Sequence, residues 1–458
     1  RLKIILARCA IAMLWLVAPV AMSQAPVTLD LFSVPPALGG AVDANMLVTF
    51  DDSQSMYRGY MPDSAGADSA LKAAKSSHYN AMYYNPELTY LPPVDANGDT
   101  FPAAVFEAAL TNPFNDAQIE NAISGDDGSL MRLDPVRDVI NLATGYEVRW
   151  NVSNNGDLPS PAAPPSPMTI SDTSITPADA GKAYYFRYDA ARTGCGVDDP
   201  RDDDCYELVF VSATSGPSRP RPELNMQLPS SDERQNFANW FQYYSLRVLA
   251  AKTTLSRTFA YYNVFDGLRI ARQTLSDQRP RSGWETDAEP QLYVAPIADD
   301  RVRFFDWLFN VRMGDASPLR SAMISAGSFF TQTGPVGVYN DQPWFPNDPG
   351  PAQSCRSNYH LVVSDGMWNG DDVLPFPPYE NADATSTTLP DGRIYPGVSP
   401  ANLYRLDQSR TLADIAFHFW STDLAPLRNN VSPVIRRGER NTDAAYWDYL
   451  NDPASWQH

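Results

Sequence analysis

The chain has 458 residues, of which 43% are hydrophobic and 12% aromatic, enough apolar side chain for one large core or two to three smaller ones. A formal net charge of −19 excludes the basic face that binding a nucleic-acid backbone requires, and is compatible with an exported protein that collects divalent cations. With 40 prolines against 25 glycines, the loops should be long and ordered rather than flexible linkers.

Arg1, Lys3 and Arg8 lead into the apolar run Cys9 to Met22, and Ser23-Gln24-Ala25 follows as a small-residue cleavage site. Residues 1–25 therefore read as a secretory signal peptide, with a mature chain that begins near Pro26 and has no transmembrane segment. Export places Cys195, Cys205 and Cys355 in an oxidising compartment. Cys195 and Cys205 lie close enough in sequence to bridge the acidic tip Asp198-Asp199-Pro200-Arg201-Asp202-Asp203-Asp204. Cys355 is then the odd one, and a partner downstream of His458 is one explanation. No CxxC or Cys/His cluster suggests zinc.

Leu47-Val48-Thr49-Phe50, rich in β-branched and aromatic side chains, reads as a buried strand. It runs into a loop that offers Asp51, Ser53 and Ser55 at alternate positions. One carboxylate and two hydroxyls suit Mg²⁺, which takes a few protein oxygens and keeps several waters. The end of a strand is also where open α/β sheets bind ligands. The same spacing would serve an Asx turn or a serine-capped turn.

The segment 57–229 reads as an insertion, partly β. It is loop-rich from Met61 to Ile123, and Tyr79, Tyr83, Tyr84 and Tyr90 are expected to pack against the main domain. Asp95, Asn97 and Asp99 echo the start of a calcium loop, but Gly98 comes early and Glu107 one residue late, which leaves a weak second calcium candidate. Strands are expected over 136–152, 183–188 and 206–211, the last two forming a hairpin closed by the disulfide. A stiff spacer runs from Pro159 to Pro167, and a second Pro-rich stretch, Pro217 to Pro229, leads out of the insertion.

Ser230-Ser231-Asp232-Glu233 reads as a helix start. Phe237, Trp240, Phe241, Tyr244, Val248, Leu255 and Phe259 follow at helical spacing, predicting one long amphipathic helix whose apolar stripe covers a sheet face. A strand is expected at Gly267 to Ala271 and a helix from Val302 to Val311. Another helix opens near Gly314-Asp315-Ala316-Ser317-Pro318 and continues to Thr331, and Tyr359 to Val363 is a second buried strand ending in Ser364-Asp365-Gly366. Alternation of this kind predicts an α/β fold, a doubly wound and mainly parallel sheet with helices on both faces.

Asp51/Ser53/Ser55, then Ser317 before a helix, then Asp365 after a strand resemble, in order, the three loops of the metal-ion-dependent adhesion site of von Willebrand factor type A domains. Ser317 stands where Thr is usual, and Ser364 precedes the aspartate; both keep the oxygen chemistry. A narrower resemblance covers most of the chain. It rests on Asn239-Trp240-Phe241-Gln242-Tyr243-Tyr244-Ser245, Ala250-Ala251-Lys252, Ser317-Pro318-Leu319-Arg320, Cys355-Arg356-Ser357-Asn358-Tyr359, Asp414-Ile415-Ala416, Thr422-Asp423-Leu424 and Ser455-Trp456-Gln457-His458. These are similar to the N-terminal half of PilY-type type IV pilus assembly factors and tip adhesins.

That resemblance implies a type A domain begun by 26–56 and resumed by 230–458, with further strands and a β-propeller beyond the last residue. It implies Mg²⁺ (or Mn²⁺ or Ca²⁺) at Asp51, Ser53, Ser55, Ser317 and Asp365. Minor pilins of the pilus-tip complex and a host or abiotic surface ligand are the implied partners. The implied roles are pilus assembly, twitching motility, attachment and mechanosensing, and the implied location is the periplasm, outer membrane or pilus tip of a Gram-negative bacterium. The alternative is an exported type A interaction scaffold of another surface assembly.

An enzyme is disfavoured. His78, His360, His418 and His458 form no HExxH, no GxSxG occurs, and Ser69-Ala70-Leu71-Lys72 fits SxxK without its KTG and SDN partners. His360, inside an apolar strand, reads as a sheet residue rather than a catalyst.

Overall fold

The computed structural model describes residues 42–68, 70–114, 139–149, 179–196, 199–217, 219–221, 226–228, 232–261, 267–278, 294–311, 316–343, 345, 347–366, 368–371, 378–397, 409–429 and 431. The signal peptide, the spacer Pro159–Pro167, Ser69, Gly314-Asp315 and the last motif, 455–458, lie outside the described residues. In chain order the main elements are β1 (Ala44–Phe50), β2 (Ala109–Leu110), β3 (Val139–Ile140), β4 (Tyr184–Tyr188), β5 (Tyr206–Phe210), β6 (Arg219–Arg221) and β7 (Met226–Leu228). They continue as α1 (Arg234–Tyr243), α2 (Arg247–Tyr261), β8 (Leu268–Thr274), β9 (Ala295–Pro296), α3 (Ile297–Asn310), α4 (Leu319–Phe330), β10 (Asn358–Val363), β11 (Thr387–Thr388), β12 (Ile394–Tyr395) and α5 (Leu412–Trp420).

The central sheet has the order β10-β1-β8-β9. Its first three strands are parallel, with Leu47 opposite His360 on one side and Ala271 on the other, and β9 closes the edge antiparallel. Every residue of β1 is buried, as expected of a strand covered on both faces, whereas β10, read from sequence as buried too, is half-buried at every position because it ends the described sheet. Met46, Val48 and Phe50 point into a core shared with Phe237, Val248, Phe259 and Phe304 of α1, α2 and α3. Leu47 faces the other way, into a core with Ala326, Phe329 and Phe330 of α4. The expected α/β architecture, rich in parallel strands and covered by helices on both faces, is what forms.

Thr49 lies on the α4 side, where it joins a polar line across three strands. Its Oγ1 lies 2.7 Å from Nε2 of His360 and accepts from Nε2 of Gln273 at 2.8 Å, and the same Gln273 nitrogen donates to the Ala322 carbonyl at 2.9 Å. His360 is thus a sheet residue, and burial pushes its imidazole down to about 4.

Two expectations are corrected. The long helix is broken at Tyr244-Ser245-Leu246 into α1 and α2. The apolar period runs through the break, so its cause is tertiary. Ser245 Oγ donates to the Phe241 carbonyl at 2.6 Å and accepts from Arg149 Nη1 at 3.1 Å, while Gly59 approaches so closely that a Cβ there would lie 3.0 Å from the Ser245 carbonyl. The second correction concerns 136–152: among the described residues only Val139–Ile140 is a strand, and Asn141 then turns the chain, its carbonyl accepting the Gly145 N–H at 2.7 Å. Leu142 and Tyr146 are buried by that turn.

Of the tyrosines expected to pack against the main domain, Tyr83 and Tyr84 are buried there and Tyr90 packs half-buried beside them, whereas Tyr79 packs instead against a separate cluster with Phe186, Cys205 and Tyr206 of the hairpin. Tyr83, Tyr84, Tyr146 and Tyr185 join the core beside α1, and the amides of Asn236, Asn239 and Gln242 hold the backbone of Tyr90, Ala104 and Leu110 at 2.9–3.0 Å. Spacing of three residues puts these amides on one helix face. Tyr188 and Tyr206 close the β4–β5 hairpin, across which Cys195 and Cys205 form the expected disulfide. Cys355 is a free thiol of intermediate exposure.

Candidate functional site

The chain leaving β1 reaches α2 on one face of the sheet, and the chain leaving β10 reaches α5, which packs against α4 on the other. The carboxyl ends of β1 and β10 are therefore a topological switch point, where an open sheet leaves a crevice between its connections. Asp51 sits there, fully buried, its N–H donating to the Val363 carbonyl at 2.8 Å.

The first loop is folded around that carboxylate. Asp51 Oδ1 accepts the Ser53 N–H at 2.9 Å, and a single 3-10 turn, Gln54–Tyr57, follows, anchored by buried Met56 and Tyr57. This brings the Ser53 and Ser55 hydroxyls within 2.9 Å of one another. The Asx turn that could have been the whole meaning of Asp51 accounts for one of its oxygens only. The other, Oδ2, accepts from the Ser364 hydroxyl at 2.6 Å, which joins the first loop to the third. Among the described residues no basic side chain pairs with Asp51. The neighbouring Asp52 turns away and accepts the Ser276 N–H at 3.0 Å; burial raises its carboxyl above the ordinary range against the pull of its hydrogen bonds.

Asp365 is equally enclosed, its side chain 1% exposed. Oδ2 accepts from Arg247 Nη1 at 2.5 Å, whereas Oδ1 is buried with no hydrogen-bond partner. Such an orphaned carboxylate oxygen needs a reason, a missing ion among them.

Ser317 ends the second loop, just before α4, and is 4% exposed. Its N–H donates to Asn369 Oδ1 at 2.9 Å and its carbonyl accepts the Asn369 N–H at 3.0 Å, so the second and third loops are laced by their backbones. Its hydroxyl bonds to no described residue. Asp371 adds a further tie: Oδ2 accepts the Arg320 N–H in the first turn of α4 at 2.8 Å, and Oδ1 takes Arg320 Nη2 at 2.7 Å. Gly370 permits the approach, since its φ is +77° and a Cβ there would lie 2.8 Å from that of Ala316.

The residues read from sequence thus come together by loops. Asp51, Ser53 and Ser55 form one unit, Ser364 joins Asp51 to the loop of Asp365, and Asn369 joins that loop to Ser317. The donors are hard oxygens throughout, suited to Mg²⁺ rather than to zinc or copper. Among the described residues no cluster of three or more His, Cys, Asp or Glu side chains forms. The weak calcium candidate is an exposed turn: Asp95 Oδ1 accepts the N–H groups of Asn97 and Asp99 at 2.8 and 2.9 Å, and Gly98 supplies the positive φ.

Sequence reasoning missed Arg247, Asn369 and Asp371. A signal existed for Arg247, a basic residue amid apolar ones on a helix face, but only the break before α2 shows where it points.

Fold and loops together define a mixed α/β domain whose mainly parallel sheet carries buried carboxylate and hydroxyl side chains at the carboxyl ends of β1 and β10. No family model and no solved structure matches the chain. Among curated proteins it is 32% identical over 430 residues to the type IV pilus biogenesis factor PilY1 of Pseudomonas aeruginosa strain PAO1 and 33% identical over 427 residues to that of strain PAK, in each case 91% of this chain and 31% of the relative. The PilY1 of strain UCBPP-PA14 is 29% identical over 447 residues, 95% of this chain and 32% of that protein. The chain is thus related to PilY-type factors over nine-tenths of its length, as its motifs implied, and it spans about a third of the length of these relatives.

Proposed function

We propose that this chain is the type A domain region of a type IV pilus biogenesis factor, and that it binds partners through a divalent cation held by Asp51, Ser53, Ser55, Ser317 and Asp365. The observation that carries the reading is Asp365 Oδ1, buried with no hydrogen-bond partner on the third loop, which the Ser364 hydroxyl ties to Asp51 and Asn369 ties to Ser317. When bound, Mg²⁺ would supply an open coordination position for a carboxylate of the partner. The chain's own groups do the rest. Asp51 and Asp365 bring the compensating negative charge, the serines bring neutral oxygens, and the Ser364, Asn369 and Asp371 contacts hold the loops in place before any ligand arrives, which lowers the ordering cost of binding.

Sequence similarity to PilY1 supports placing this activity at the pilus, with minor pilins as tip partners, a host or abiotic surface as the adhesive target, and twitching motility and force sensing as the cellular outcomes. An exported signal-peptide-bearing precursor and a β-propeller after the described region belong to the same reading.

Calorimetric titration of the full chain with Mg²⁺, Mn²⁺ and Ca²⁺, beside Asp51→Ala and Asp365→Ala, tests the site. Binding lost in both variants, with circular dichroism unchanged, supports one ion between the first and third loops. Binding equal to the parent's in both variants places the ion elsewhere. Complementation of a strain from which this gene is deleted, by the parent gene and by the Asp51→Ala gene, tests the pilus assignment: loss of surface pili on deletion and their return with the parent gene support it, and unchanged piliation on deletion refutes it.

A further inference from the structure

Arg247 opens α2 directly after the helix break, and its side chain is 4% exposed. Its guanidinium holds three acceptors. Nη1 donates to Asp365 Oδ2 at 2.5 Å, Nε and Nη2 donate to the Tyr60 carbonyl at 2.9 and 2.6 Å, and Nη2 also donates to Asp63 Oδ1 at 2.6 Å. The Tyr60 ring lies 5.6 Å from its central carbon, and the Arg247 N–H donates to the Arg58 carbonyl at 3.1 Å. One buried cation thus joins the third loop of the site to 58–63, the first residues after the first loop. Asp63 is the exposed member, its side chain 44% exposed, and Arg58 Nη1 also approaches it at 3.1 Å.

Two cations cannot share one carboxylate without repelling each other, and the repulsion is strongest where water is excluded. Asp365 has one oxygen committed to Arg247 and one oxygen free. We propose that Arg247 is the affinity-determining residue of the site: it neutralises Asp365 in the metal-free protein, opposes entry of a divalent ion there, and is drawn onto Asp63 and the Tyr60 carbonyl when an ion binds. This inference rests on the metal reading above. By linkage, whatever secures Arg247 on 58–63 raises metal affinity, and a bound ion favours that arrangement by the same factor. Occupancy of the adhesion site is thereby coupled to the segment that leads into the loop-rich insertion.

The test uses the full chain with Mg²⁺ alone as the probe. Arg247→Gln keeps hydrogen-bonding capacity to the Tyr60 carbonyl but removes the charge, and should bind Mg²⁺ about fivefold to a hundredfold more tightly, the usual span of coupling between linked groups. Asp63→Ala removes the alternative acceptor at an exposed position and should bind more weakly, while Arg247→Lys should stay near the parent. A residue that only supports the fold would lower affinity when either is replaced. Weaker binding in Arg247→Gln, or unchanged affinity in both variants, overturns the inference with the metal site intact. Should Arg247→Gln fail to fold without metal, recovery of its fold on adding Mg²⁺ supports the exchange, and absence of recovery overturns it. If neither the parent nor any variant binds Mg²⁺, the metal reading itself falls, and this inference with it.

Discussion

Replacing Asp51 by Asn separates what the carboxylate does for the fold from what it does for an ion. The side chain has no exposure, two hydrogen bonds and no basic partner among the described residues. Hydrogen bonds to a charged group contribute roughly 1.5–3 kcal/mol each, against a burial penalty of several kcal/mol per ion after relaxation, so in the metal-free protein the charge is close to neutral in its net effect. Asn has the same shape. Its carbonyl can keep the Ser53 N–H, and its amide can donate to a Ser364 hydroxyl that has turned to accept. Without metal the variant should therefore be within about 1–2 kcal/mol of the parent. With Mg²⁺ at a hundred times its dissociation constant, the parent should gain about 2.7 kcal/mol by mass action and the variant nothing. Thermal unfolding followed by tryptophan fluorescence, in EDTA and in saturating Mg²⁺, reads this directly as a midpoint that rises a few degrees in the parent and stays put in Asp51→Asn. An equal rise in both would refute the assignment of Asp51 as a ligand.

Gly370→Ala should wedge the second and third loops apart, because the new methyl would meet Ala316 at 2.8 Å on a backbone with φ +77°; about 1–3 kcal/mol of stability should be lost, together with Mg²⁺ affinity by titration. Replacing both Cys195 and Cys205 by Ser opens a crosslink of sequence separation 10, worth about 2–3 kcal/mol in loop-closure entropy. The β4–β5 hairpin should become sensitive to limited proteolysis while Mg²⁺ titration is unchanged. His360 gives a pH dependence of definite sign: its folded value of about 4 lies below the ordinary 6.5, so between those limits the unfolded chain binds more protons and stability falls as the solution is acidified. Urea unfolding at pH 7 and pH 4.5 should show a smaller acid-induced loss in His360→Gln than in the parent.

Much of the fold was legible because it is local. Leu47 to Phe50 and Tyr359 to Val363 are short apolar runs rich in β-branched and aromatic residues, ended by polar loops, and both form parallel strands, the first buried throughout and the second half-buried at the end of the sheet. Asp51, Ser53 and Ser55 lie within a single turn, so the contacts among them follow from their spacing. The bridge between Cys195 and Cys205 spans a hairpin, and it too is a local matter.

What needed the tertiary structure depends on contacts between residues far apart in sequence. The helix break at 244–246 is invisible in a hydrophobic period that continues through it, because Arg149 and Gly59 impose it from 96 and 186 positions earlier in the chain. The stripe read as covering a sheet shares its core with tyrosines of a segment about 150 residues earlier, held by amides whose partners no periodicity names. Arg247 meets Asp365 across 118 positions. Asp371 secures the start of α4 from a loop 51 positions away. The sequence by itself determined the strands at Leu47 to Phe50, Tyr359 to Val363 and the disulfide hairpin, and the oxygen-rich loops that follow β1 and β10, because pattern and turn chemistry act over a few residues. Only the tertiary structure decided which cation faces Asp365 and how the three loops are tied, because charge pairing and burial act through space, between groups the chain order keeps apart.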